Sequence, residues 1–193
     1  MTSPPYPLLN PRAYGNLNPL EWVDWMLRLC EGWQPLLSKS GSMMLHLGMC
    51  LKPGMPAQSL YIERLLIKLE DELGMHLLQR LDWHSPNKLP IPLNWAGVRR
   101  VRVTPSVEPI LWVSPAPHAA KGNNLNVLRP YSAGGLRSIR EARDLPKRPS
   151  GFSFGKGSFQ DRGGSIPPSL ITAAPNCAEE MRYRKAVREH GRN

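Results

Sequence analysis

The chain has 193 residues, 41% of them hydrophobic, with a formal net charge of +10. That length and apolar content allow one domain with a real core and exclude a wholly disordered chain. No apolar run approaches the roughly 20 residues that span a bilayer. Cys30, Cys50 and Cys177 are odd in number and widely spaced, which fits neither a disulfide framework nor a CxxC metal site. The N-terminus has no charged stretch followed by an apolar run of the secretory kind, so the expected setting is reduced and cytoplasmic.

The charge is uneven. Residues 1–113 hold 11 Lys and Arg against 9 Asp and Glu, a net of +2, whereas residues 114–193 hold 14 against 6, a net of +8. The sequence therefore divides into an α/β part, 1–113, and a basic, Gly- and Pro-rich part, 114–193. The second suits a polyanion such as nucleic acid; on charge alone, an Arg-rich solvated tail fits as well.

In chain order, Ser3-Pro4-Pro5-Tyr6 comes first. Each proline has a fixed φ and no N–H. Their carbonyls, the Ser3 hydroxyl and the Tyr6 ring offer rigid acceptors beside a stacking face, a combination that suits the exocyclic amine of a planar base. On these residues alone, a loose chain end is the better reading. Asn18-Pro19-Leu20-Glu21 signals a helix start, with a capping side chain, a proline in the first turn and a capping-box glutamate. Trp22, Trp25, Met26 and Leu29 recur at helical spacing and read as core, and Pro35 predicts the end of this helix near 32–37.

Residues 42–47 read as a short buried strand, with His46 a satisfied core histidine rather than a metal ligand. The spacing of Leu60, Leu65, Leu66, Leu69 and Leu73 predicts a second helix from about Pro56 to Leu73, stopped by Gly74. Residues 77–81, 101–103 and 110–113 read as further strands. This alternation implies an α/β sheet covered on both faces. Trp83 to Pro92 is loop-like, and Arg99, Arg100 and Arg102 follow it. That combination suits contact with a phosphate backbone, or an edge strand with exposed arginines. Beyond Ser114, 136–143 predicts a short basic helix. Arg148 to Gly151, Gly155 to Gly157 and Gly163 to Pro168 read as ordered turns. Phe154-Gly155-Lys156-Gly157 lacks the flanking strand and helix that a cofactor loop needs.

Ser3-Pro4-Pro5-Tyr6 is followed in order by Tyr14-Gly15-Asn16, Trp22-Val23-Asp24-Trp25, Pro56 to Tyr61, and Trp83 with Ser85 to Pro90. Arg100 to Val103, Val127 to Ser132, Arg148 to Gly151 and Gly163 to Pro168 come next. This series resembles the amino-methylating DNA methyltransferases, and within them the cytosine-N4 group of the PvuII type.

The resemblance implies part of a Rossmann-like S-adenosylmethionine-dependent methyltransferase sheet with an irregular, basic target-recognition region. The substrate would be double-stranded DNA, as in restriction–modification systems. The target base is flipped into a pocket because its amine is unreachable in the stack. Tyr6 would stack on it, while the Ser3 hydroxyl and the Pro4 carbonyl, on the rigid Pro4-Pro5 pair, would accept the amine hydrogens. Transfer would be direct, with no role for the cysteines and no metal. Candidate DNA contacts are Trp83, Asn87, Lys88, Arg99, Arg100, Arg102, Arg148 and Lys156. Serine before the prolines leans toward cytosine N4; adenine N6, or a non-catalytic DNA-binding remnant, are the alternatives. The family's glycine-rich donor loop does not occur up to Asn193, nor does a strand leading into Thr2. The expectation is therefore a fragment or half of a split enzyme, inactive alone, whose donor-binding half lies on a second chain.

Overall fold

A computed structural model describes residues 1–8, 12–13, 15–89, 93–141, 149–151, 155–174 and 178–190. The calls on Tyr14, Pro90 to Pro92, Arg143, Arg148, Phe154 and Cys177 lie outside the described residues. Two compact units form: Met1–Lys121 together with Ser169–Asn193, and Gly122–Pro168.

In the first unit, α1 spans Pro19–Trp33 and starts as its sequence dictates. The Asn18 side chain accepts from the Leu20 and Glu21 N–H groups, both at 3.0 Å, which satisfies donors that have no partner inside the helix. Pro35 lies in the short 3-10 turn Gln34–Leu36 that ends the helix. α2 spans Tyr61–Leu73 and stops at Gly74, whose φ of 61° closes the C-terminus in the left-handed conformation; glycine adopts it without the Cβ penalty.

Helix α2 begins at Tyr61, not at the expected Pro56. Residues 50–59 pair with themselves instead. Lys52 N–H donates to the Ala57 carbonyl at 2.8 Å and Ser59 N–H to the Cys50 carbonyl at 2.8 Å, so these groups are not available to a helix.

The sheet is mixed, in the order β1-β3-β2-β4. β1 is Met43–His46, β2 His76–His84, β3 Val107–Ser114 and β4 Leu170–Thr172. β3 lies antiparallel between β1 and β2, and β4 joins β2 in parallel. Seven of the eight β3 residues are buried or half-buried, as a strand covered on both faces requires. On one face Met43, Leu45, Leu111 and Val113 meet Trp22, Met26, Tyr61, Leu65 and Leu69 from the two helices. Burial of apolar surface there is the main force holding the unit together.

The expected strand at 101–103 does not form. The Val101 and Arg102 N–H groups both turn back to the Trp95 carbonyl, at 3.0 and 3.2 Å, closing a π-helical turn over Asn94–Val98. Their donors are thereby withdrawn from any ladder.

The second unit is held by short-range polar contacts. Arg129 and Ser165 exchange two backbone hydrogen bonds, at 3.0 and 2.9 Å. Ser132 caps α3, Ala133–Arg140, so the basic helix expected at 136–143 begins earlier than its charge pattern suggests. The Tyr131 hydroxyl accepts from the Arg162 N–H at 2.7 Å. In the first unit, α4 (Ala178–His190) completes the elements. Among the described residues no helix is long and apolar enough to cross a membrane.

Candidate functional site

Ser3 is placed by a single residue. The Thr2 N–H donates to the Met44 carbonyl at 2.9 Å, and the Thr2 carbonyl accepts from the His46 N–H at 3.0 Å, pairing Thr2 in parallel with Leu45. The register that the sequence assigns to a preceding strand is supplied here by one residue pair. Ser3 then emerges exposed at the C-terminal end of β1, while the Pro4 ring is buried.

The turn that follows is fixed from three sides. The buried Trp22 donates its indole N–H to the Pro5 carbonyl at 2.7 Å, and Asn16 donates its amide to the Tyr6 carbonyl at 2.8 Å. The Tyr6 ring lies against Gly48, where a Cβ would overlap it. Gly48 is itself held by its carbonyl, which accepts from the Tyr61 hydroxyl. Burial raises the Tyr61 phenol well above its usual range, so it keeps the proton it donates. Tyr61 also stands edge-on to Trp22, ring centroids 5.0 Å apart. Beside Pro5, a cleft of about 430 Å³ is lined by Gly15, Asn16, Leu17, Trp22 and Trp25.

This geometry refines the expectation that both proline carbonyls are free. The Pro5 and Tyr6 carbonyls are taken by Trp22 and Asn16. Ser3 stays exposed beside them.

The candidate DNA contacts fall into several groups. Trp83 lies on β2, donates its indole N–H to the Ala173 carbonyl at 3.0 Å, and stands edge-on to His46 at 5.4 Å. Lys88 is paired with Glu108, whose other oxygen lies 2.9 Å from His46 Nε2. The His46 contact, against the opposing cost of burial and aided by Lys88, holds the Glu108 carboxyl below its ordinary range. His46 is thus engaged with a carboxylate, and among the described residues no group of His, Cys, Asp or Glu is arranged to hold a metal ion.

Arg102 donates to the Pro56 carbonyl at 2.7 Å. The Arg99 guanidinium lies 5.1 Å from the centre of the Trp95 ring. Arg100 and Asn87 are exposed. Lys156 belongs to the second unit, where Lys156–Phe159 is a 3-10 turn, and Arg148 is outside the described residues.

The DNA methylase family, N6/N4 type, matches residues 1–159. The chain belongs to this family. It is 38% identical over 174 residues to the type II methyltransferase M.PvuII of Proteus hauseri, across 89% of this chain and 52% of that protein. Among solved structures it is similar to a PvuII DNA methyltransferase described as cytosine-N4-specific. The TM-score is 0.67 at 29% identity, over 99% of this chain and 55% of that one. The chain thus spans about half the length of these DNA methylases.

Membership of the family makes two further residues informative. Sequence reasoning read Trp22 as core, which it is, and had no signal that its N–H reaches a carbonyl 17 positions earlier. Gly48 showed in the sequence only as the end of a strand. Burial pushes the Cys30 thiol up to about 11 and raises Cys50 as well, away from the thiolate a nucleophile needs.

Proposed function

We propose that this chain is the base-binding and DNA-recognition part of a cytosine-N4 DNA methyltransferase of the restriction–modification kind, acting with S-adenosylmethionine on a base flipped out of the duplex. One observation carries the reading. The Pro5 and Tyr6 carbonyls are occupied by Trp22 and Asn16, while Ser3 stands exposed at the end of the Thr2–Leu45 pairing. The Ser3 hydroxyl and the Pro4 carbonyl then accept the two hydrogens of the target amine. Those bonds draw the nitrogen lone pair out of conjugation and aim it at an electrophile. Tyr6, backed by Gly48, stacks on the base, a contact worth about 1–3 kcal/mol.

S-adenosylmethionine, when bound, supplies the methyl group. Its usual cradle is a glycine-rich turn between a strand and a helix. Among the described residues the Gly155 region forms only a 3-10 turn, which does not fit that group. The donor site is therefore assigned to a further segment, on this protein or on a second chain. The second unit, Gly122–Pro168, holds eight Lys and Arg against three Asp and Glu, and its part is contact with duplex DNA.

The test is methyl incorporation into mixed-sequence duplex, with the products identified by mass spectrometry. The chain is assayed alone and with the donor-binding half of a cytosine-N4 relative supplied separately. The expected result is N4-methylcytosine only in the mixture, lost with Ser3→Ala. N6-methyladenine as product would reassign the base. Turnover or micromolar S-adenosylmethionine binding by the chain alone would overturn the two-part reading.

A further inference from the structure

Between β2 and β3 the described residues 85–89 and 93–106 form an excursion that leaves and rejoins the sheet at one end. β2 finishes at His84 opposite Val107, the start of β3. β1 runs antiparallel to β3 and ends at His46 opposite Ile110. Thr2 runs parallel to β1, so Ser3 emerges at this same end. The excursion therefore rises beside the acceptor motif.

It is pinned rather than loose. The Ser85 N–H donates to the Ser106 carbonyl at 2.9 Å across its base. Arg102 reaches the Pro56 carbonyl, in the 50–59 loop just beyond Gly48. Arg100 sits at φ 55°, the only positive φ on a non-glycine among the described residues; such a conformation costs energy and gathers at functional sites. The π-helical turn before it is a second uncommon feature of the same kind.

What this pinned loop holds outward is apolar. Leu93, Val98, Val101 and Val103 are all large, exposed hydrophobics, Val103 to 87%. Scattered exposed hydrophobics need no explanation, but a cluster does. Exposed Arg99 and Arg100 stand among them. An apolar tip flanked by guanidinium groups is the chemistry that enters a duplex: the apolar group slips between base steps while the cations take the adjoining phosphates.

We propose that residues 93–103 form a wedge that enters duplex DNA beside the target base, with Val101 and Val103 occupying the space the base leaves and Arg99 and Arg100 contacting the flanking phosphates. The proposal rests on the DNA-binding reading above. Charge complementarity selects DNA over a protein partner as the occupant.

The experiment is fluorescence-anisotropy binding of the full chain to two duplexes of one sequence, one fully paired and one with a single abasic gap. The gap removes the unstacking cost, so a wedge binds the gapped duplex at least about tenfold more tightly. Val101→Ser with Val103→Ser, both at exposed positions, removes that preference, while the binding that remains still falls with salt. Thermal melting checks that the double variant is folded. Equal affinity for the two duplexes, or a gap preference that survives the double variant, overturns the wedge while leaving DNA binding standing. No binding to either duplex overturns the DNA reading and the wedge with it. Loss of association with a separately supplied donor-binding half, with the gap preference unchanged, assigns the patch to protein contact instead.

Discussion

The indole N–H of Trp22 donates to the Pro5 carbonyl at 2.7 Å, tying the first turn of α1 to the second proline of the acceptor motif. The indole is buried among the helices and stands edge-on to Tyr61, so it cannot shift without disturbing the core. Trp22→Phe keeps an aromatic ring in place and removes the donor. The expected loss is about 0.5–1.5 kcal/mol of stability in a urea melt, from the lost hydrogen bond. In the reconstituted enzyme the methyl-transfer rate should fall while the affinity for duplex DNA holds. An unchanged rate would show that the turn holds its shape without this bond.

Gly48→Ala places a methyl group where the Tyr6 ring lies. Overpacking of this kind costs about 1–3 kcal/mol. Because the clash is with one side chain, Tyr6→Ala should relieve it. In a double-mutant cycle the pair is expected to be strongly non-additive. Additive losses would show that some other atom meets the new methyl.

Glu108 gives a pH-dependent contribution. Its carboxyl is held below the ordinary range by His46 and Lys88, so the native state binds the proton less readily than the unfolded chain does. The stabilisation is full above the unfolded value and is lost as pH falls through the folded one. Glu108→Gln should cost about 1–3 kcal/mol at neutral pH. The gap between variant and parent should narrow in melts taken at progressively lower pH in the acid range. A gap that is constant with pH would remove the charge from the account.

Gly164→Ala tests the second unit on its own. A Cβ there would come within 2.8 Å of the Arg129 carbonyl oxygen, beside the Arg129–Ser165 pairing. The φ of 154° is also one that side-chain-bearing residues rarely adopt. The expected outcome is faster proteolytic cutting within 122–168 and weaker duplex binding, with the thermal melt of the first unit unmoved. Unchanged protease resistance would show that the bridge yields without loosening the unit.

Duplex binding itself should fall steeply with added salt, because each neutralised phosphate releases counterions, with a slope near −0.9 per contact. Titrations at several salt concentrations give that slope. A flat profile would remove the basic residues of Gly122–Pro168 from the interface.

Features governed by local rules were legible in the sequence. Asn18 capping α1, Gly74 ending α2 and the apolar run of β1 each follow from a few adjacent residues. The failures came where distant backbone groups competed. The leucine pattern from Leu60 onward suggested a helix starting near Pro56, but the Ser59 N–H is taken by the Cys50 carbonyl and the Ala57 carbonyl by the Lys52 N–H. Val101 to Val103 had strand composition, but Trp95 captured the donors.

At the candidate site, the Ser3 to Tyr6 stretch stood out because two adjacent prolines between a serine and a tyrosine are conspicuous in any sequence. The residues that hold it were not, because Trp22, Asn16 and Gly48 come from other parts of the chain. Charge was the weakest guide. Lys88 and Arg102 count as cations in the sequence, yet in the fold one meets a carboxylate and the other a carbonyl.

The chain positions bordering Gly122–Pro168 are both fastened to the first unit. Lys121 N–H donates to the Ser40 carbonyl at 3.3 Å, and the Ser169 carbonyl accepts from the Asp82 N–H at 2.9 Å. The intervening stretch is thus a loop closed at its roots, and closure entropy rises only slowly with length, about 0.6 kcal/mol for each doubling. Insertions, deletions and wholesale replacement between those two knots are expected to leave the register of β2, β3 and β4 in place. The fold can try out new surfaces there while the Thr2–Leu45 pairing and the turn after Ser3 stay as they are.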